Sequence, residues 1–267
     1  MSENLDEKGA RFVINDHDLL YIDIWGVIHN GVKLYDNAVN VLDHLHDLNK
    51  EYILLTNAPR PNKTVKKFLS QMGLNKNHCD KVYTSGEAAL KYLEKNLNNS
   101  KFFHIGPPKD FDLFSSFKKN KTDDIQNCDF LLCTGLFEDN NNLNYYRQLF
   151  SKKKNLKMIC TNPDLLVDRG DRRELCAGSI AQIYEEAGGK VDYFGKPYPL
   201  VYNLSANSDN KKILCIGDNL NTDIKGANVQ NFKSFFITGG IHKNENLDEI
   251  YKIYNVKVDY TQTQLKW

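Results

Sequence analysis

Short apolar runs alternate with helical patterns along this chain, and the alternation comes in two nested series. The outer series opens with "LLYIDIW", an apolar run that carries Asp23 at its tip. "NAVNVLDHLHDLNKE" follows, with Val41 or Leu42, Leu45 and Leu48 at helical spacing. "YILLTN" is a second strand, and "NKTVKKFLSQMG" a helix closed by Gly73 at its C-cap. Near the C-terminus "KKILCIGDN" reads as a strand, "NTDIKGANVQ" as a helix and "FKSFFITGG" as another strand. Strand and helix in strict turn predict a parallel sheet with helices on both faces.

The inner series runs through "GEAALKYLEKNL", "KFFHIG", "CDFLLCTG", "NYYRQLF", "LKMICTN" and "AGSIAQIYEEAGG". It is long enough for a small folding unit of its own. We therefore expect an α/β core made of residues 1–83 and 194–267, split by an inserted α/β domain of residues 84–193. No repeat of fixed period is present.

Charge decides which partners are excluded. Lys and Arg number 35 against 34 Asp and Glu, for a net charge of +1. No bulk field draws such a chain to nucleic acid or to an anionic membrane. Lysine- and asparagine-rich runs such as "SKKKN" and "DNNNLN" read as solvated loops. The six cysteines form no C-x-x-C pair, and several sit in apolar runs, as buried free thiols of a reducing compartment do. No segment reads as a signal peptide or reaches the ~18 to 20 apolar residues of a membrane span. A soluble, cytoplasmic protein is the expectation.

In open parallel sheets, ligands bind beyond the carboxyl ends of the strands. Polar residues end four of the predicted strands: Asp23 in "YIDIWG", Thr56 and Asn57 in "LLTNAPR", Lys196 in "YFGKPYP" and Asp218 in "CIGDNLNTD". Singly, each has a plain reading as a turn former, an N-cap or a loop lysine. Together they make a coherent chemistry. A carboxylate such as Asp23 attacks phosphorus to form an aspartyl phosphate. Asp23 and Asp218 are hard oxygen ligands suited to Mg²⁺. Thr56 and the N–H groups after it suit phosphate oxygens, and Lys196 adds positive charge where the phosphoryl group moves. Asp223 would orient Lys196 or a metal-bound water.

The order of these motifs resembles the haloacid dehalogenase (HAD) superfamily of phosphohydrolases. "DIWGV", Thr56 of "LLTNAPRP", Lys196 of "FGKPYP" and "GDNLNTD" correspond to its four motifs. "VYTSGEAAL", "TNPDLLVDRGDRRELCAGSIAQIYEEAGG" and "GKPYP" are similar to its class IIA, the NagD-like and p-nitrophenyl phosphatase-like group. The resemblance runs from about residue 18 to about residue 240. It implies a Rossmannoid core with a parallel sheet and an inserted α/β cap of the C2 type. It implies Mg²⁺-dependent hydrolysis of a small phosphorylated metabolite. Asp23 would be the nucleophile, and Asp23, the Trp25 backbone carbonyl and Asp218 the metal ligands, with Asp223 as a nearby acidic partner. Thr56, Asn57 and Lys196 would hold the phosphoryl group. A homodimer formed through the cap is also implied.

Trp25 departs from the pattern. Most family members carry an aspartate there, which protonates the leaving oxygen and then activates water. An indole N–H donates a hydrogen bond but relays no proton. Either another group such as His29 serves, or turnover is slow, or the chain is a catalytically weak or inactive binder of phosphorylated metabolites. Trp25 itself reads as a stacking surface for a planar substrate or as packing between domains. In the inserted unit, Asp164, Arg169, Asp171, Arg172 and Arg173 read either as anion-binding groups or as a loop stitched by Asp–Arg pairs. A nucleotide-cofactor oxidoreductase is disfavoured, because neither G-x-G-x-x-G nor a P-loop is present. The motifs do not choose among nucleotide, sugar, glycerol and pyridoxal phosphates.

Overall fold

The computed structural model describes residues 2–151, 155–169 and 172–267. Four strands come first: β1 (Glu3–Asn4), β2 (Leu19–Ile22), β3 (Glu51–Thr56) and β4 (Val82–Thr84). The middle of the chain supplies β5 (Phe102–Ile105), β6 (Lys121–Thr122), β7 (Phe130–Cys133), β8 (Lys157–Cys160), β9 (Leu166–Arg169), β10 (Arg172–Leu175) and β11 (Lys190–Tyr193). β12 (Ile213–Gly217), β13 (Lys233–Ile237) and β14 (Tyr260–Gln262) end it.

The larger sheet has the order β1-β14-β13-β12-β2-β3-β4, with every neighbouring pair parallel. β2 sits between β3 and β12, so the chain leaves it in one direction early and returns on its other side late. That reversal of strand order is where an open α/β sheet leaves a crevice at its carboxyl edge. The smaller sheet, β11-β8-β7-β5-β6, is also parallel. The fold is the Rossmannoid α/β class that the strand–helix alternation predicts.

Alternate residues of β2 serve opposite faces. Leu20 and Ile22 join Leu42, Leu45, Leu54, Leu69, Leu214 and Ile216 in one buried cluster. Leu19 and Tyr21 join Leu55, Tyr202, Ile213 and Cys215 in another, which continues into Phe102, Phe130, Leu132 and Ile159 of the smaller sheet. One apolar core therefore spans both sheets. The helix Asp36–Asp47 buries Ala38, Val41, Leu42 and Leu45. Leu48 departs from the expected stripe: it lies at the helix end and is 52% exposed. Gly73, at φ 96°, takes the left-handed position after the helix Asn62–Gln71, as expected of a C-cap.

Two segments differ from the sequence expectation. "NTDIKGANVQ" does not start as an α-helix; Leu220–Ile224 is a π-helical turn that precedes the helix Lys225–Val229. Within the "VDRGDRRE" stretch β9 pairs antiparallel with β10, with Asp168 opposite Arg173 across the strands. The side chain of Arg169 and the whole of Asp171 lie outside the described residues. Each of the six cysteines is buried and free, as expected from their apolar runs. Among the described residues, no helix is long and apolar enough to cross a membrane.

Candidate active site

The register of β2 on β12 brings the first acids together. Ile22 pairs with Ile216, and the Asp23 N–H donates to the Ile216 carbonyl at 2.8 Å. Asp23 thus leaves the sheet beside Gly217, one residue before Asp218. Gly26, at φ 86°, turns the chain back over this point. A side chain at Gly26 or at Gly240 would run into the Asp218 carboxylate, so both backbones close tightly around it. The Ile241 N–H completes that wall by donating to Asp218 Oδ2 at 2.8 Å.

Lys196 joins the group from the far side of the sequence. Its ammonium donates to Asp23 Oδ1 at 2.5 Å, to Asp223 Oδ1 at 2.6 Å and to the Leu55 carbonyl at 2.8 Å. All three of its N–H bonds are committed. The π-helical turn places Asp223, whose other oxygen accepts the Asn219 N–H at 3.1 Å. Asp23, Lys196, Asp218 and Asp223 are 8%, 4%, 6% and 3% exposed, so these charges interact with little screening by water.

Three buried carboxylates face one ammonium. Burial, and then the charge of Asp223, push Asp23 up to about 7 against the pull of Lys196. Burial and the charges of Asp23 and Asp223 raise Asp218 well above the usual carboxylate range. Burial alone would lower the Lys196 ammonium, but Asp223 and Asp23 outweigh it and hold that pKa above an ordinary lysine's. The excess negative charge is what a divalent cation would relieve. Asp23, Asp218 and Asp223 each offer an oxygen within 4.8 Å of the others. A set of hard oxygen donors this compact fits Mg²⁺.

Thr56 ends β3 at the same edge, 7% exposed, with its hydroxyl accepting the Ala58 N–H at 3.2 Å. Asn57 is turned inward. Its Oδ1 accepts the Lys196 N–H at 2.7 Å, and its Nδ2 donates to the Lys196 carbonyl and to Asp164 Oδ1, each at 3.0 Å. Asp164 reaches it from the loop after β8. Burial raises Asp164 to about 6, against the opposing charge of Lys196. The tie between Asn57, Lys196 and Asp164 was not read from the sequence. "TNAPR" and "TNPD" supply its members, but no spacing in the chain reports a contact between them.

Trp25 is half-buried on the turn after Asp23. Its indole meets His29 edge to face, with ring centroids 5.0 Å apart, and lies so close to Gly31 that a side chain there would strike it. His29 in turn meets Phe68 edge to face at 5.7 Å. Burial lowers His29 to about 4, and its Nδ1 accepts the Gly31 N–H at 2.8 Å. The ring is therefore neutral near neutral pH, with its proton on Nε2. In the second unit, Arg173 donates to the Ile241 carbonyl at 3.2 Å, on the loop that holds Asp218. Arg172 is exposed.

Residues 20–117 match the family model described as haloacid dehalogenase-like hydrolase, and residues 193–265 match one described as HAD-hydrolase-like. The two matches carry Asp23, Thr56, Lys196, Asp218 and Asp223 between them.

The chain belongs to the haloacid dehalogenase-like hydrolases.

This haloacid dehalogenase-like chain is similar over nearly its full length to solved structures. A haloacid dehalogenase-like hydrolase from Brucella suis is 28% identical, covering 96% of this chain and 98% of that one, with a TM-score of 0.82. A p-nitrophenyl phosphatase from Archaeoglobus fulgidus is 22% identical over 93% of this chain and 97% of that one, with a TM-score of 0.75. A 4-nitrophenylphosphatase from Thermotoga maritima is 24% identical over 95% and 96%, also with a TM-score of 0.75. At those last two identities the likeness is one of fold. Among curated protein sequences, none matches.

Proposed function

We propose that this haloacid dehalogenase-like chain hydrolyses the phosphomonoester of a small organic metabolite, with Asp23 as the nucleophile. One observation carries the reading: a buried carboxylate at the sheet's crevice is held against a buried lysine, with two further acids beside it. A purely structural ion pair gains nothing from two extra buried carboxylates.

Lys196 engages Asp23 Oδ1, which leaves Oδ2 to attack phosphorus. The bond from phosphorus to the leaving oxygen breaks as the bond to Asp23 forms. Water then takes the phosphoryl group and restores the carboxylate. Lys196 favours the ionised nucleophile in a site where burial opposes it. The Thr56 hydroxyl, which accepts from Ala58, keeps its proton for a phosphoryl oxygen. Asp23, Asp218, Asp223 and the Trp25 carbonyl would hold Mg²⁺. Bound there, the ion offsets the repulsion between nucleophile and phosphate. In this reading residues 84–193 act as the cap that selects the substrate and excludes water.

A second reading rests on Trp25. The indole stands where a proton donor for the leaving oxygen is expected, and His29 is held neutral as an acceptor for Gly31. On that reading the chain binds phosphorylated metabolites with little turnover. Phosphate release from p-nitrophenyl phosphate and a phosphomonoester panel, with Mg²⁺ and with EDTA, separates the two. Metal-dependent release that disappears in Asp23→Asn supports hydrolysis. A folded protein that binds Mg²⁺ and releases nothing supports the binder.

A further inference from the structure

The sequence leads one to expect Asn57 to face substrate, yet its side chain is spent inside the protein. Its carboxamide clamps both backbone polar groups of Lys196, the N–H at 2.7 Å and the carbonyl at 3.0 Å. That clamp demands one orientation, with Oδ1 toward the Lys196 N–H and Nδ2 toward the carbonyl. The second hydrogen of Nδ2 goes to Asp164 Oδ1. A reversed amide would set its oxygen against the Lys196 carbonyl and the Asp164 carboxylate at once. Asp164 therefore excludes the wrong orientation by charge as well as rewarding the right one.

The junction around this contact is tightly packed. A side chain at Gly195 would meet both Asn57 Oδ1 and Pro163 Cδ. The Ser85 hydroxyl lies within hydrogen-bond distance of the carbonyls of both Ala58 and Thr161 and can share its one proton between them, tying the loop after β3 to the end of β8. Asp164 thus joins the loop after β3 to its own loop in the second unit.

We propose that Asp164 is a positioning residue: by holding the Asn57 carboxamide in one orientation, it sets the backbone of Lys196 and so the ammonium between Asp23 and Asp223. The second unit then contributes to the chemistry without touching the reacting atoms. The catalytic half of this inference rests on the phosphatase reading; the geometric half does not.

Two measurements on the full-length chain test it. The first is hydrogen exchange at the Lys196 amide, with the β2 and β12 amides as a reference for overall opening. Asp164→Ala should speed exchange at Lys196 by about tenfold, the loss expected for one charge-assisted hydrogen bond, with the strand amides unchanged. Asp164→Asn keeps an acceptor oxygen and should recover most of that loss. Unchanged exchange at Lys196 in both variants would overturn the inference.

The second is a double-mutant cycle on phosphate release with Asn57→Ala. Asp164→Ala should lower kcat by about tenfold at nearly constant KM, and should add nothing once Asn57 is gone. A raised KM with kcat kept would place Asp164 on the substrate and overturn the proposal, as would fully additive losses. So would an Asp164→Asn variant as slow as Asp164→Ala, since that marks a proton-transfer group. If the unaltered protein releases no phosphate, the phosphatase reading fails alone, and the exchange result still decides the role of Asp164.

Discussion

Lys196 and Asp223 meet at 2.6 Å, and the same ammonium holds Asp23 at 2.5 Å, so one lysine bridges two buried acids. Removing it leaves three carboxylates and no cation. Lys196→Ala should lower phosphate release by at least about a hundredfold and destabilise the fold by about 3–5 kcal/mol at neutral pH. Phosphate release and chemical denaturation at pH 7 read the two effects. A variant as stable as the parent would mean that the acids simply take up protons.

Asp23→Asn keeps shape and removes the attacking carboxylate. We expect a loss of at least about a thousandfold in phosphate release, with the folded circular dichroism spectrum intact. Residual turnover near the parent's would sink Asp23 as the nucleophile.

The charge balance predicts a pH dependence of stability. Asp23 ionises near 3.8 when unfolded and at about 7 when folded. The native state therefore holds the extra proton between those values, and the metal-free protein should lose stability as pH rises across that window. The loss from this group should be on the order of a few kcal/mol. Saturating Mg²⁺ should flatten the slope, because a cation favours the ionised acids. Denaturation midpoints from pH 4 to pH 8, with EDTA and with Mg²⁺, measure this, and a slope of opposite sign without metal would refute it.

Trp25→Asp should raise turnover on alkyl phosphates, whose leaving oxygens need a proton. A restored general acid is worth about 10²–10⁴-fold. The gain should shrink for p-nitrophenyl phosphate. Because Trp25 packs on His29 and Gly31, the same change should cost about 3 kcal/mol of stability. Rates across a leaving-group series and a thermal melt read both, and no gain on any ester would show that the missing acid does not limit the rate.

His29→Gln tests the neutral acceptor. If His29 only supports the Gly31 turn, phosphate release should stay within about threefold and its pH profile should not move. A profile that loses one limb would make His29 a proton carrier.

The α/β class, the inner series of strands and the four strand-end motifs were legible because apolar periodicity records burial directly. Asp23 and Asp218 each follow an apolar strand of the larger parallel sheet, which brings such ends to one edge, whereas Lys196 follows β11 of the smaller sheet and enters from there. From the sequence Asn57 reads as a phosphoryl-binding residue and Asp164 as part of an anion-binding or ion-paired loop, not as partners of each other. Their bond joins two loops far apart in the sequence, and nothing in either loop encodes which atoms face. Leu48 kept helical spacing but fell at a helix end, where no neighbour covers it. The π-helical turn was hidden for a similar reason. Composition does not distinguish a π-helical turn from an α-helical one in "NLNTDIKGA", and the turn at Leu220–Ile224 shows only in the structure, where it sets Asp223 against Lys196 and the Asn219 N–H.

β2 lies between β3, which follows it directly in the chain, and β12, which does not exist until the whole smaller sheet has been synthesised. On the ribosome, β2 can pair on one edge early and must wait for the other. Until then, Asp23 has no Asp218 beside it, and Lys196 itself arrives only after the last strand of the smaller sheet. Contacts so distant in sequence form slowly, so the nascent chain carries an open strand edge while the middle segment emerges. Site assembly is therefore one of the last events of folding, and a truncated chain that stops before Ile213 has a nucleophile but no site.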